Sequence, residues 1–138
     1  MDASGSTTGC TVTSDSTTIT WHPGSRVAVV RYTAGASLVA ADGAFLADAL
    51  TGWIGAGGER FAIFADAAGL RGTNGEYRAR ASSFFRQHRD NAFIALVNLG
   101  PVIQIVVELF RLGTGIQLKT FASEAEARSW LRTKGIAA

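Results

Sequence analysis

From Arg60 to Thr120 the chain alternates between short apolar runs and segments of helical periodicity. RFAIFADA leads into the polar loop AGLRGTNG and the amphipathic stretch EYRARASSFFRQHRD. The apolar run AFIALVNL, the segment GPVIQIVVELFRLGTG and the run IQLKT follow. Arg60–Ala65 and Ala92–Leu99 are too short for buried helices. Bounded by turn residues, they have the pattern of strands covered on both faces. A helix between successive strands calls for a mostly parallel sheet joined by right-handed crossovers.

The flanking regions extend this order. Thr17–Trp21 and Arg26–Tyr32 are β-branched or alternating runs separated by His22-Pro23-Gly24-Ser25, a hairpin signal. Val39–Ile54 is helical, with Phe45, Leu46, Ala49, Leu50 and Trp53 on one face and Asp42 in the first turn, where a carboxylate complements the helix dipole. Gly55-Ala56-Gly57-Gly58 ends it. A second helix is predicted over Glu76–Arg89. A third opens at Gly100-Pro101, with proline at the first helical position. It closes at Gly113-Thr114-Gly115, before a strand over Ile116–Phe121. Ser123-Glu124-Ala125-Glu126 reads as a capping box for a last helix, which buries Ala127, Trp130 and Leu131 and stops at Gly135. The predicted order is β-β-α-β-α-β-α-β-α in one α/β domain over residues 15–135. Residues 1–14, rich in Ser, Thr and Gly, form a flexible tail or a weak first strand.

Composition narrows the function classes. With 138 residues and 47% hydrophobic content there is enough apolar surface for one real core. A formal charge of +2, with no exposed aromatics interleaved among the basic residues, argues against nucleic acid. The single Cys10 excludes an intramolecular disulfide, and one Cys with two His cannot make a conventional zinc site. The first ten residues, MDASGSTTGC, lack the basic and apolar regions of a signal peptide, and no apolar run reaches the ~18 residues of a membrane span. A soluble cytoplasmic protein with no metal or cofactor is the expectation.

The element order, the FADAAGL strand end, the loop before EYRARASSFF and the closing TGIQLKTFASEAEARSWL resemble the STAS superfamily. The likeness is to its SpoIIAA-like branch of small stand-alone bacterial proteins, over roughly residues 15–135. It implies a four- or five-stranded sheet with helices mainly on one face. It also implies a non-enzymatic role in signalling, in binding a protein partner or, from the fold's likeness to lipid carriers, in holding a small apolar ligand. In the anti-sigma antagonists of this superfamily, a serine in the turn before the second helix takes a phosphate. The corresponding turn here is Gly72-Thr73-Asn74-Gly75. Asn74 stands at the acceptor position and cannot be phosphorylated, and Gly72 replaces the usual acidic residue. Thr73 keeps a hydroxyl one place away.

Two surfaces follow as candidates. The first is the partner-binding set Arg71, Thr73, Asn74, Arg78, Arg86 and Arg89, the turn together with the side of the second helix on which a wheel groups Arg78, Arg86 and Arg89. Helix capping by Thr73 or Asn74 and an ordinary solvated face account for the same residues without a partner. The second is the third helix. Gln104, Glu108 and Arg111 form one narrow polar stripe, and apolar residues fill the remainder, about twice the arc that a surface helix buries. Either neighbouring elements cover it broadly, or Val102, Ile103, Val106 and Phe110 meet a second copy of the chain or a small apolar ligand held against the sheet.

No catalytic set assembles from sequence. Gly113–Thr120 lacks the second glycine of a phosphate loop and precedes a strand, and Gly55–Gly58 follows a helix rather than a strand. Ser83 and His88 lie on different faces of their helix. Asp66, at a strand end, has the plain role of capping its loop.

Overall fold

The computed structural model describes residues 10–138; residues 1–9 of the segment read as a tail or weak strand lie outside the described residues. The described residues open with three antiparallel strands, β1 (Cys10–Thr13), β2 (Thr17–His22) and β3 (Val27–Tyr32). The turn between β2 and β3 closes with the Arg26 N–H donating to the His22 carbonyl at 2.8 Å. There follow β4 (Ser37–Leu38), α1 (Ala40–Ile54), β5 (Phe61–Asp66), β6 (Gly72–Thr73), α2 (Gly75–Gln87), β7 (Ala92–Val97), α3 (Pro101–Thr114), β8 (Gln117–Phe121) and α4 (Glu124–Thr133).

The main sheet has six strands in the order β1-β2-β3-β5-β7-β8, and the pairings β3–β5, β5–β7 and β7–β8 are parallel. Each new parallel strand is added on the same side of the last, so crossovers of one hand place α1, α2 and α3 on a single face. The core follows this division. Ile19, Trp21, Ala28, Val30, Ile63, Ala65, Ile94 and Leu96 face Leu46, Leu50, Phe84 and Phe85 of the helices. Their neighbours in the strands, Val27, Val29, Ala62, Phe64, Phe93, Ala95 and Val97, face Ala127 and Leu131 of α4. β5 and β7 are thus covered on both sides, as their unbroken apolar character requires.

The expected α/β architecture and helix placement hold. The sheet reaches six strands because Cys10–Thr13 adds itself to the β2 edge. Two further short strands, β4 and β6, pair in parallel as Ser37↔Gly72 and Leu38↔Thr73. They fix the chain before α1 to the chain before α2.

Local chemistry accounts for the helix starts. Asp42 reaches back to accept from the Val39 N–H at 2.8 Å. Asn74 caps α2 through Oδ1, which accepts from the Tyr77 N–H at 2.8 Å. Ser123 caps α4 by accepting from the Glu126 N–H at 3.2 Å. The Glu126 carboxylate meets the Ser123 hydroxyl, at 3.5 Å, rather than completing the reciprocal half of the box. Gly43 lets α1 and α2 approach closely. A Cβ there would lie 2.9 Å from Arg80 Cβ and 3.2 Å from the Tyr77 carbonyl oxygen.

Candidate functional site

The turn into α2 is a fixed piece of structure. Thr73 belongs to β6, and the Asn74 N–H donates to the Leu38 carbonyl at 2.9 Å while its side chain caps the helix. Arg78, one turn into α2, folds back so that one guanidinium nitrogen donates to the Thr73 carbonyl at 2.7 Å and to its Oγ1 at 3.0 Å. The Thr73 hydroxyl is therefore already engaged, by a cation that sits half-buried over it.

The sequence-predicted arginine face comes apart in three ways. Arg78 turns inward onto Thr73. Arg86 is exposed and directs Nε at the Gly113 carbonyl, 3.4 Å away at the end of α3. Arg89 lies beyond His88, the C-cap of α2, so the helical wheel does not govern its direction. Arg71 is exposed beside the turn, its backbone N–H bonded to the Ala36 carbonyl at 2.8 Å. A wheel treats every residue as helical and every side chain as radial, and the end of α2 and the long Arg78 side chain satisfy neither condition.

The four residues singled out on α3 also separate. Ile103 is buried, and Val106 and Phe110 are half-buried against the domain, Phe110 edge-on to Phe85 with ring centroids 5.9 Å apart. Val102 points away from them. It is 65% exposed and belongs with Ile105 (65%), Leu109 (66%) and Leu112 (69%). The sequence pattern alone carried the signal for these last three, in the excessive width of the apolar arc. α3 thus has two apolar faces, an inner one against the sheet and α2 and an outer one facing solvent.

Beneath the inner face lies a cavity of about 110 Å³. Ile63, Ala65, Ile94 and Leu96 of the sheet, Phe85 of α2 and Ile103, Val106 and Phe110 of α3 line it. Its polar edge consists of Tyr32, Thr73, Tyr77 and Arg78. Burial pushes the Tyr32 phenol up to about 12, with the Tyr77 hydroxyl opposing the shift. Tyr77 is raised well above its ordinary value, first by burial and then by Tyr32 and Asp42. Both phenols stay neutral and act as hydroxyls in an apolar surround.

At the C-terminal ends of the parallel strands, where ligand sites of open α/β sheets commonly form, Asp66 is committed to structure. Oδ1 accepts from the Ala68 N–H at 3.0 Å and from Asn98 Nδ2 at 2.9 Å, and Oδ2 meets Arg31 at 3.4 Å. The Asn98 and Ala68 donors hold its carboxyl below the usual carboxylate range, and Arg31 adds to this. Asn98 presents its amide from a left-handed backbone, φ 61°, which Asn tolerates. His88, the other residue of catalytic type in α2's neighbourhood, packs on Phe84 and Phe61 at 4.6 and 5.9 Å between centroids, and burial pushes its imidazole down. Among the described residues, no three His, Cys, Asp or Glu side chains gather to hold a metal ion, and no helix is long and apolar enough to cross a membrane.

No family model matches the chain, and no curated protein matches its sequence. Among solved structures, the chain is similar to an uncharacterized protein of the DUF3478 family with a SpoIIAA-like fold from Shewanella loihica PV-4. The match covers 89% of this chain and 91% of that one at 15% identity, with a TM-score of 0.54. At that identity the likeness carries the fold alone. The chain has a SpoIIAA-like fold, the one its resemblance to the STAS superfamily implied.

Proposed function

We propose that this SpoIIAA-like chain is a non-enzymatic, regulatory binding domain that engages protein through the outer face of α3. The observation that carries the reading is the run of Val102, Ile105, Leu109 and Leu112, each about two-thirds exposed with no charge among them. Together they present on the order of 400 Å² of apolar surface, a patch size that on soluble proteins commonly marks an interaction site. A helix needed only to cover the sheet would place polar residues there.

The α2 turn supports a contact without a phosphate switch. Asn74 serves as a cap, and Arg78 already occupies the Thr73 hydroxyl. Arg71, Arg86 and Arg89 remain exposed, and of these Arg86 stands beside the end of α3, its Nε 3.4 Å from the Gly113 carbonyl. The test is affinity capture with the wild-type chain, a Leu109→Glu/Leu112→Glu variant and an Arg71→Glu/Arg86→Glu/Arg89→Glu variant. Loss of the captured protein with the first variant, at unchanged melting temperature, is the expected result. Retention by the first and loss by the second would transfer the site to the arginines.

The cavity favours a second reading, a small apolar ligand held between the sheet and α3. Engineered apolar cavities of about 150 Å³ accept benzene, so 110 Å³ suits a ligand of that size or smaller unless α3 moves outward. Titration with benzene, followed by methyl NMR, is expected to give saturable shifts at Ile63, Ile94 and Ile103. Shifts that rise linearly without saturating would dismiss this reading.

A further inference from the structure

The outer stripe of α3 has a property that selects its occupant. Its spacing, 102 to 105 to 109 to 112, is three, four, three. This is the alternation by which one helix meets another along a seam, and it reads the same in both directions. A second α3 laid antiparallel across the first therefore meets the stripe in register, with Val102 opposite Leu112 and Ile105 opposite Leu109 about a two-fold axis. We infer that the partner seated on this face is a second copy of this chain, bound through an antiparallel α3–α3 contact. The inference rests on the reading of the outer face of α3 as a protein-binding surface and names what binds there.

Charge and area agree with this occupant. Glu108 and Arg111, the charged residues of α3, pair with each other within the helix. Two copies therefore approach without like charges facing across the axis, and isologous contacts require that self-complementarity. A lipid surface is a poorer fit, because helices that lie in membrane interfaces carry several Lys or Arg on their polar face, and the one Arg of α3 is already engaged by Glu108. Two stripes of this size bury at most roughly 800 Å² in total, below the range of stable specific pairs and in that of weak, transient ones. That area fits a reversible, concentration-dependent dimer rather than an obligate one.

Sedimentation of the full chain from low micromolar to near-millimolar concentration tests this. The expected mass rises from 14.5 kDa toward twice that value. Leu109→Glu, and the milder Ile105→Gln, are expected to weaken association at least tenfold without changing the melting temperature. In a Cys10→Ser background, Ile105→Cys mixed with Leu109→Cys is expected to cross-link faster than either variant alone. Equal rates would overturn the antiparallel arrangement.

A wild-type chain that stays monomeric throughout overturns the second-copy assignment. If that monomer still captures another protein that Leu109→Glu releases, the surface reading survives. If it captures nothing, both fall. A dimer untouched by Leu109→Glu overturns the second-copy assignment, and the capture experiment then decides the surface reading alone. Monomers that co-sediment with vesicles of phosphatidylcholine and phosphatidylglycerol assign the face to lipid and refute the proposal.

Discussion

Two glycines in α1, changed one at a time to alanine, measure the closeness of the α1–α2 contact on which the cavity and its tyrosines depend. In a helix, Gly→Ala is worth roughly 1 kcal/mol of stability from backbone entropy and helix propensity. Gly52 faces open space, with nothing within 4 Å of an added Cβ, so Gly52→Ala should show that gain in full. Gly43 has the same chemistry in the same helix, but its Cβ would stand 2.9 Å from Arg80 Cβ and 3.2 Å from the Tyr77 carbonyl. The first is the root of a side chain and the second is helix backbone, so neither swings aside without moving α2. Overpacking of this kind costs about 1–3 kcal/mol. Taking the middle of that range, Gly43→Ala should lie about 2 kcal/mol below Gly52→Ala and about 1 kcal/mol below wild type. Urea unfolding at neutral pH reads the difference, with the slope of the transition checked for constancy. Equal stabilisation by both substitutions would refute the close approach and, with it, the placement of Tyr77 at the cavity edge.

Three further outcomes follow from the same structure. Asn74→Ala removes the α2 cap and should cost about 1 kcal/mol in urea unfolding, whereas Asn74→Asp, which keeps an acceptor oxygen, should cost little. Because the Asp66 carboxyl lies below its ordinary value, its stabilising contribution is present above the usual carboxylate range and is lost as pH falls through the depressed value. Carboxyl NMR should place it below 3.8, and Asn98→Ala should raise it; an Asp66 that titrates normally in wild type would contradict the hydrogen-bond assignment. The sign reverses for the chain's two tyrosines, whose raised values make stability full below pH 10 and declining as pH rises above it. Tyrosinate absorbance should then appear only with alkaline unfolding, and its appearance near pH 10 in the folded chain would show the rings to be open to water.

Much of this architecture is legible residue by residue. β5 and β7 announce themselves as unbroken apolar runs between turn residues, because a strand buried on both faces cannot alternate. The ends of α1, α3 and α4 fall where glycine, proline and serine place them, since caps are local chemistry. The β4–β6 pairing leaves no such trace. Strands of two residues have no period, and Ser37 and Gly72 are brought together by the packing of α1 and α2, not by anything near either of them.

The candidate site divides along the same line. Sequence alone determined that α3 carries more apolar surface than one buried face can use, because that depends only on which residues are present and at what spacing. The tertiary structure decided the rest. It turned Ile103, Val106 and Phe110 inward and Val102, Ile105, Leu109 and Leu112 outward, according to where the sheet and α2 meet the helix. It also folded Arg78 back onto Thr73 and left Arg89 beyond the helix end. A helical pattern gives angles between side chains but not the direction of the core, and that direction is supplied by residues far away in the chain.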